Sequence, residues 1–387
     1  MLRRTAAVAA FAAAVALASG FASTASAAKG MKVGLFDDGR VLYGVPEDVF
    51  RQLQATGTQA IRVNLWWAGP ALSVALRKPK RAQNPADPAY NWDTYDRTVR
   101  FAVANGMEPI FSIVGTPPWA NAAKGWNVAP DDPNDLRLFV QAVAKRYSGT
   151  YVIGGGYVLP RVSKWIAWNE PNNPVFLKPQ YAKEAGAWTI ASATAYAAIC
   201  NAVVQGVKSV HRESLVACGA TSPRGNNNPN SSRPSTSPLP FARALKAAGA
   251  KGFDAWAHHP YYGSPAETPV TPPPTGPRGQ QPTAVTLGNF DVLVQEVDAL
   301  WPKLRFWITE YGYQTNPPDT FFGVPPAKQA KYLEQAVAVA RAHPAIDLFL
   351  WFLLQDETRA EGWQSGLLTE DGVRKPAWDA FRRAARG

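Results

Sequence analysis

Eight short apolar runs alternate with amphipathic helical segments, and single glutamates end the fourth and seventh runs. These two observations predict an α/β chain folded as a single (β/α)8 TIM barrel with long βα rim loops. The runs are near-continuously apolar rather than alternating, which suits parallel strands buried on both faces. A doubly wound sheet is the rival, but Phe36-Asp37-Asp38-Gly39 follows the first run where that fold carries a glycine-rich phosphate turn.

Residues 1–27 read as a secretory signal. Arg3 and Arg4 form the charged start, Ala6 to Leu17 an apolar run too short to span a bilayer, and Ala25-Ser26-Ala27 a small-x-small cleavage site. The arginine pair raises a twin-arginine route, which the residues after it do not strengthen. Residues 28–387 are then one exported domain with no second apolar stretch of membrane length. The expected strands are 31–36, 60–65, 108–114, 164–168, 215–220, 255–258, 305–309 and 346–352. The helical patterns between them cover 46–56, 92–105, 133–148, 183–211, 240–248, 285–300 and 326–342, and a last helix covers 376–384. Ser222–Pro240 and Gly263–Pro282 are rich in Pro, Asn and Ser. Each follows a strand and precedes the next helix, so they read as rim loops at the carboxyl end rather than domain linkers.

Hydrophobic residues make up 46% of the 387 and charged ones 18%, which excludes a disordered or polytopic membrane chain. Two cysteines are too few for a disulfide framework. In an exported chain Cys200 and Cys218 form either a disulfide or two buried thiols. Forty basic against 29 acidic residues leave a net charge of +11, but the excess is scattered. Its densest run, Arg77–Arg81, reads as a solvated face or a grip on an anionic polysaccharide, and nothing resembles a nucleic-acid motif. Fourteen Trp and thirteen Tyr carry more information, because aromatic faces stack on sugars.

The sharpest local signals are Trp168-Asn169-Glu170-Pro171 and Ile308-Thr309-Glu310-Tyr311-Gly312. A lone strand-end Glu usually caps a helix or pairs with a surface Lys. Two of them on strands four and seven of one barrel point into the same mouth. Glycosidic cleavage needs two carboxyl groups in different protonation states. Glu170, beside Trp168 and Pro171, would stay protonated through desolvation; Glu310, approached by Arg62, would stay ionised.

These strand ends resemble the signature of clan A glycoside hydrolases. The resemblance implies a retaining mechanism through a covalent glycosyl-enzyme, with Glu170 as acid/base, Glu310 as nucleophile and Asn169 on the sugar 2-hydroxyl. Arg62 is similar to the family 5 arginine that holds the nucleophile, and His259-Pro260-Tyr261 to that family's His-x-Tyr, whose Tyr bonds the nucleophile. Trp351 resembles the strand-eight sugar platform. Thr116-Pro117-Pro118-Trp119 is more similar to family 39, the β-xylosidase and exopolysaccharide hydrolase branch.

Trp66, Trp67, Trp119, Tyr311, Tyr313, Trp351 and Trp363 fall at or beyond strand ends, and Trp351 and Trp119 are the expected sugar contacts. His258 and His259 point to opposite faces of an extended chain, one into the mouth. No third ligand has readable spacing, so no metal is expected. Asp37, Asp38, Asp356 and Glu357 read as solvated loop carboxylates. The expected protein is a secreted, monomeric O-glycoside hydrolase acting on β-linked oligo- or polysaccharides without a cofactor. The alternatives are a carbohydrate-binding or exopolysaccharide-assembly protein on the same barrel, or a transglycosylase.

Overall fold

The computed structural model describes residues 30–274, 284–359 and 362–387. The signal segment therefore lies outside the described residues, as does the end of the Gly263–Pro282 loop. In chain order the elements are β1 (Lys32–Phe36), α1 (Asp38–Tyr43), α2 (Pro46–Thr56), β2 (Ala60–Trp66), α3 (Asp93–Ala104), β3 (Glu108–Val114) and α4 (Pro133–Arg146). Then come β4 (Val152–Ile153), β5 (Tyr157–Val158), β6 (Lys164–Ala167), β7 (Ala182–Glu184), β8 (Ala187–Thr189), α5 (Ala191–Lys208) and β9 (Leu215–Thr221). The chain ends with α6 (Pro238–Ala247), β10 (Ala255–His258), α7 (Phe290–Leu300), β11 (Arg305–Tyr311), α8 (Pro326–Ala342), β12 (Ile346–Phe352) and α9 (Pro376–Arg386).

Eight strands, β1, β2, β3, β6, β9, β10, β11 and β12, pair in parallel and close into a barrel. All eight expected strands are present. The barrel is a packed core. Ala60, Ile110, Ile166, Ala217, Ala255, Ala257, Trp307, Leu348 and Leu350 fill its interior, with alanines on β9 and β10 leaving room for the Trp307 indole. Gly34 on β1 belongs there for a steric reason: a Cβ would lie 2.0 Å from the Ala60 carbonyl oxygen. The outward residues of each strand join the helices in a second, larger layer. Among the described residues no helix is long and apolar enough to cross a membrane.

Two local expectations change. The long helix over 183–211 begins only at Ala191. Ahead of it β7 and β8 form a hairpin whose turn, Ala185-Gly186, has φ of +48° and +86°. Gly as the second residue of a two-residue turn favours a hairpin over a continued helix. The helix expected from Val285 begins at Phe290, after a 3-10 turn over Leu287–Asn289. A short helix, α1, follows β1 directly, because the Asp37 carboxylate accepts the Arg40 N–H and caps it. Cys200 on α5 and Cys218 on β9 form a disulfide, their Cα atoms 5.9 Å apart.

Candidate active site

Alternation along each strand decides what reaches the mouth. On β2, Ala60 lies in the interior core and Arg62 one layer above it, fully buried. On β10, Ala257 faces in and His258 out. His258 meets the Phe290 ring of α7 and the Val285 carbonyl, so His259 turns inward. On β11 strict alternation from outward Ile308 would send Glu310 outward as well. The register against β12 shifts between Ile308 and Tyr311, and this irregularity turns Glu310 into the mouth while Tyr311 packs outside with Phe349 and Trp351. At the end of β6, Trp168 and Glu170 adopt left-handed backbone, φ +66° and +37°. Trp168 is held outside the barrel by its indole N–H on the Phe176 carbonyl, and the Glu170 N–H donates to the Ala220 carbonyl at 2.8 Å. Such strain in non-glycine residues persists where surrounding structure fixes it, commonly at functional sites.

Arg62 is the hub. It donates to Glu310 Oε1 at 2.7 Å, Asn169 Oδ1 at 2.6 Å, Ser112 Oγ at 2.7 Å and the Thr309 carbonyl at 3.2 Å. The Tyr261 hydroxyl donates to Glu310 Oε2 at 3.1 Å. Both oxygens of Glu310 thus face donors, one of them the charged Arg62 guanidinium. The surroundings of Glu170 are different. Burial pushes its carboxyl up to about 7, against the opposing Asn173 hydrogen bond to Oε2 (2.8 Å) and the charges of Arg62 and Arg233. His259 lies between the two glutamates. Burial depresses its ring to about 3, so it is neutral. Its Nε2 faces the Arg62 guanidinium, which only donates (3.3 Å), so the proton sits on Nδ1, 3.0 Å from Glu170 Oε1.

Of these groups, Asn169, Glu170, Asn173, Tyr261 and Glu310 line a cleft of about 880 Å³. It also contains Phe36, Asp38, Asn64, Phe176, Arg224, Arg233, Tyr262, Phe322, Phe352, Glu357 and Trp363. Glu170, His259 and Glu310 each offer an atom within 4.8 Å of the others, the spacing of a cation site. The Arg62 guanidinium at 2.7 Å from Glu310 already supplies the positive charge such an ion would bring.

Glu170, Glu310, Asn169, Arg62, His259 and Tyr261 converge as expected. Trp351 and Trp119 do not. Trp351 is completely buried because alternation along β12 places Leu350 and Phe352 inward and Trp351 in the outer layer, its indole bonded to the Ser365 carbonyl. Trp119 packs edge-on against Trp67 at 5.4 Å, bonds the Ala75 carbonyl and lies outside the cleft lining. The exposed aromatic in the mouth is Trp363, tilted against Tyr261 (5.5 Å) and edge-on to Phe352 (5.2 Å). The four loop carboxylates also differ from the solvated default. Asp37 caps α1, and Asp356 pairs with buried Lys375 at 2.6 Å. Asp38 and Glu357 enter the cleft, and burial pushes the Asp38 carboxyl up to about 7.

No protein-family model matches the chain, and no curated protein does. Among solved structures, the fold is similar to a glucosidase from Croceicoccus marinus (TM-score 0.64, 15% identity, covering 92% of this chain and 67% of the other). It is similar to a family 39 glycoside hydrolase from Bacteroides cellulosilyticus WH2 (0.63, 19%, 92% and 63%). A monomeric β-xylosidase from Caulobacter crescentus CB15 also matches (0.60, 18%, 93% and 69%). The chain thus spans about two thirds of their length. The closed eight-stranded barrel of these glycoside hydrolases is the fold of this chain.

Proposed function

We propose that the protein is a secreted, retaining O-glycoside hydrolase that cleaves β-linked oligo- or polysaccharides by double displacement. The observation that carries this is a pair of carboxyl groups with oxygens within 4.8 Å of each other and opposite surroundings. Retaining enzymes hold their two carboxyls about 5–5.5 Å apart, whereas inverting ones leave about 6.5–9.5 Å for a water. In the first step Glu310 Oε attacks the anomeric carbon as the glycosidic C–O bond breaks, and Glu170 gives its proton to the departing oxygen. In the second, Glu170 takes a proton from water, whose oxygen displaces Glu310 and restores the starting configuration.

Arg62 and Tyr261 hold the nucleophile, and Asn169, fixed by Arg62 at 2.6 Å, presents its amide to the sugar 2-hydroxyl. Trp363 supplies the stacking face. No cofactor enters this scheme, and the protein acts as a monomer. The leader pattern of residues 1–27 and the Cys200–Cys218 disulfide support export to an oxidising compartment.

The test is hydrolysis of a panel of aryl β-glycosides and polysaccharides by the wild type beside Glu310→Gln. Turnover lost in the variant is expected. A wild type silent on the whole panel, yet raised in melting temperature by sugars, would replace hydrolysis with carbohydrate binding.

A further inference from the structure

The cleft does not end at Glu170. Asn173, Ser222, Arg224 and Arg233 are shared with a smaller concavity of about 290 Å³. That concavity shares Pro174 and Arg233 with a third of about 470 Å³, bounded by Val175, Lys178, Tyr181 and Trp188. Together they form one groove, leaving the mouth on the side of Glu170 and running under the Ser222–Pro240 loop to the β7–β8 hairpin.

The charge along this groove is one-sided. The acidic lining, Asp38, Glu170, Glu310 and Glu357, belongs to the mouth. Beyond Glu170 the charged side chains of the lining are Arg224, Arg233 and Lys178. Arg224 is committed to the fold: its guanidinium donates to the Tyr261 and Tyr262 carbonyls and approaches Glu267 at 3.6 Å. Arg233 is exposed and lines all three concavities, and among the described residues its guanidinium has no ion-pair partner. Trp188 is 43% exposed in the groove, with the Lys183 ammonium 5.1 Å above its ring. Lys183 and Trp188 are directly paired across the hairpin, so they share a face, and Glu184 alternates onto the other. The run at Arg77–Arg81 is exposed but lines none of the three concavities.

We propose that this groove binds the leaving-group portion of an acidic oligosaccharide, with Arg233 holding a uronic-acid carboxylate and Trp188 stacking on a sugar ring. The assignment to the leaving-group side rests on the hydrolase reading, in which Glu170 protonates the departing oxygen. Arg233 suits the task because a planar guanidinium matches a carboxylate in two parallel hydrogen bonds. Among the described residues it forms no ion pair, so it gives none up to bind a carboxylate.

Binding tests this independently of turnover. Oligogalacturonides and glucuronic-acid-bearing xylo-oligosaccharides, each beside its carboxyl-reduced form, are titrated calorimetrically into Glu310→Gln and into Glu310→Gln/Arg233→Ala. At least one acidic form is expected to bind about tenfold tighter than its reduced form at low salt, with most of that advantage lost in half-molar salt. Arg233→Ala should erase the preference, and Trp188→Ala should weaken both forms alike. Equal binding of the two forms, binding of neither, or a preference that survives Arg233→Ala overturns the proposal. Aryl β-glycoside turnover by the wild type is read separately. Its absence alongside an Arg233-dependent preference would remove the hydrolase while keeping the groove.

Discussion

The two glutamates of the mouth lie close together, yet they occupy opposite environments. Glu310 follows a register shift on β11 and meets Arg62 and Tyr261, one donor for each oxygen. Glu170 follows a left-handed kink after β6, meets a neutral His259 and one amide, and is pushed up to about 7 by burial. In the proposed mechanism the two identical side chains take different roles because Arg62 bonds Glu310 directly, while burial dominates at Glu170. A single buried arginine on β2, with most of its donors engaged, creates the asymmetry.

The largest effect should come from the Glu310 side. Glu310→Gln keeps the shape and removes the nucleophile, with kcat expected to fall on the order of 10⁴-fold. Arg62→Met removes the cation and strands the Glu310 charge. Activity should fall about 10²–10³-fold, and urea unfolding should show about 3–5 kcal/mol of lost stability. Tyr261→Phe deletes one hydrogen bond to a charged group and should lower kcat/KM about 10–10²-fold without unfolding the barrel. Wild-type turnover retained in any of the three would break the comparison.

The Glu170 side should show itself in pH profiles. Glu170 must be protonated in the first step, so activity is present below about 7 and lost as pH rises through it. The Asn173 hydrogen bond stabilises the carboxylate, so Asn173→Ala should move the basic limb of kcat/KM upward. A limb that stays in place or moves down would contradict the burial account. The smallest effect should be at Trp363→Ala, a few-fold rise in KM with kcat little changed, from loss of about 0.5–1.5 kcal/mol of stacking.

Much of this site was legible in the sequence, and the exceptions have physical causes. Strands were readable because near-continuous apolar runs such as Ile346–Phe352 have few other uses. The two glutamates were readable because a charge ending such a run has to be explained. The aromatics failed because a strand's face cannot be inferred from composition: Trp351 and Phe352 are adjacent, and period-two alternation buries the tryptophan and presents the phenylalanine. Trp363 follows a strand end in the sequence, but only the folded loop sets it against Tyr261. The β7–β8 hairpin reads as helix in the sequence because alanines and a glutamate flank Gly186, and Trp188 with the groove it lines is legible only in the fold. Asp38 was set aside as a loop carboxylate because the short helix that turns it toward Asn64 depends on one cap.

The most direct test of the division of labour is the anomeric configuration of glycosyl azide formed by alanine variants from an activated aryl β-glycoside. With Glu310→Ala, azide takes the place of the missing nucleophile, attacks the opposite face and gives the α-azide. With Glu170→Ala, the glycosyl-enzyme still forms on Glu310, and azide then attacks it from the β face to give the β-azide. The account predicts that pairing. The reverse pairing would exchange the two roles, and inversion by the wild type in water would contradict double displacement altogether.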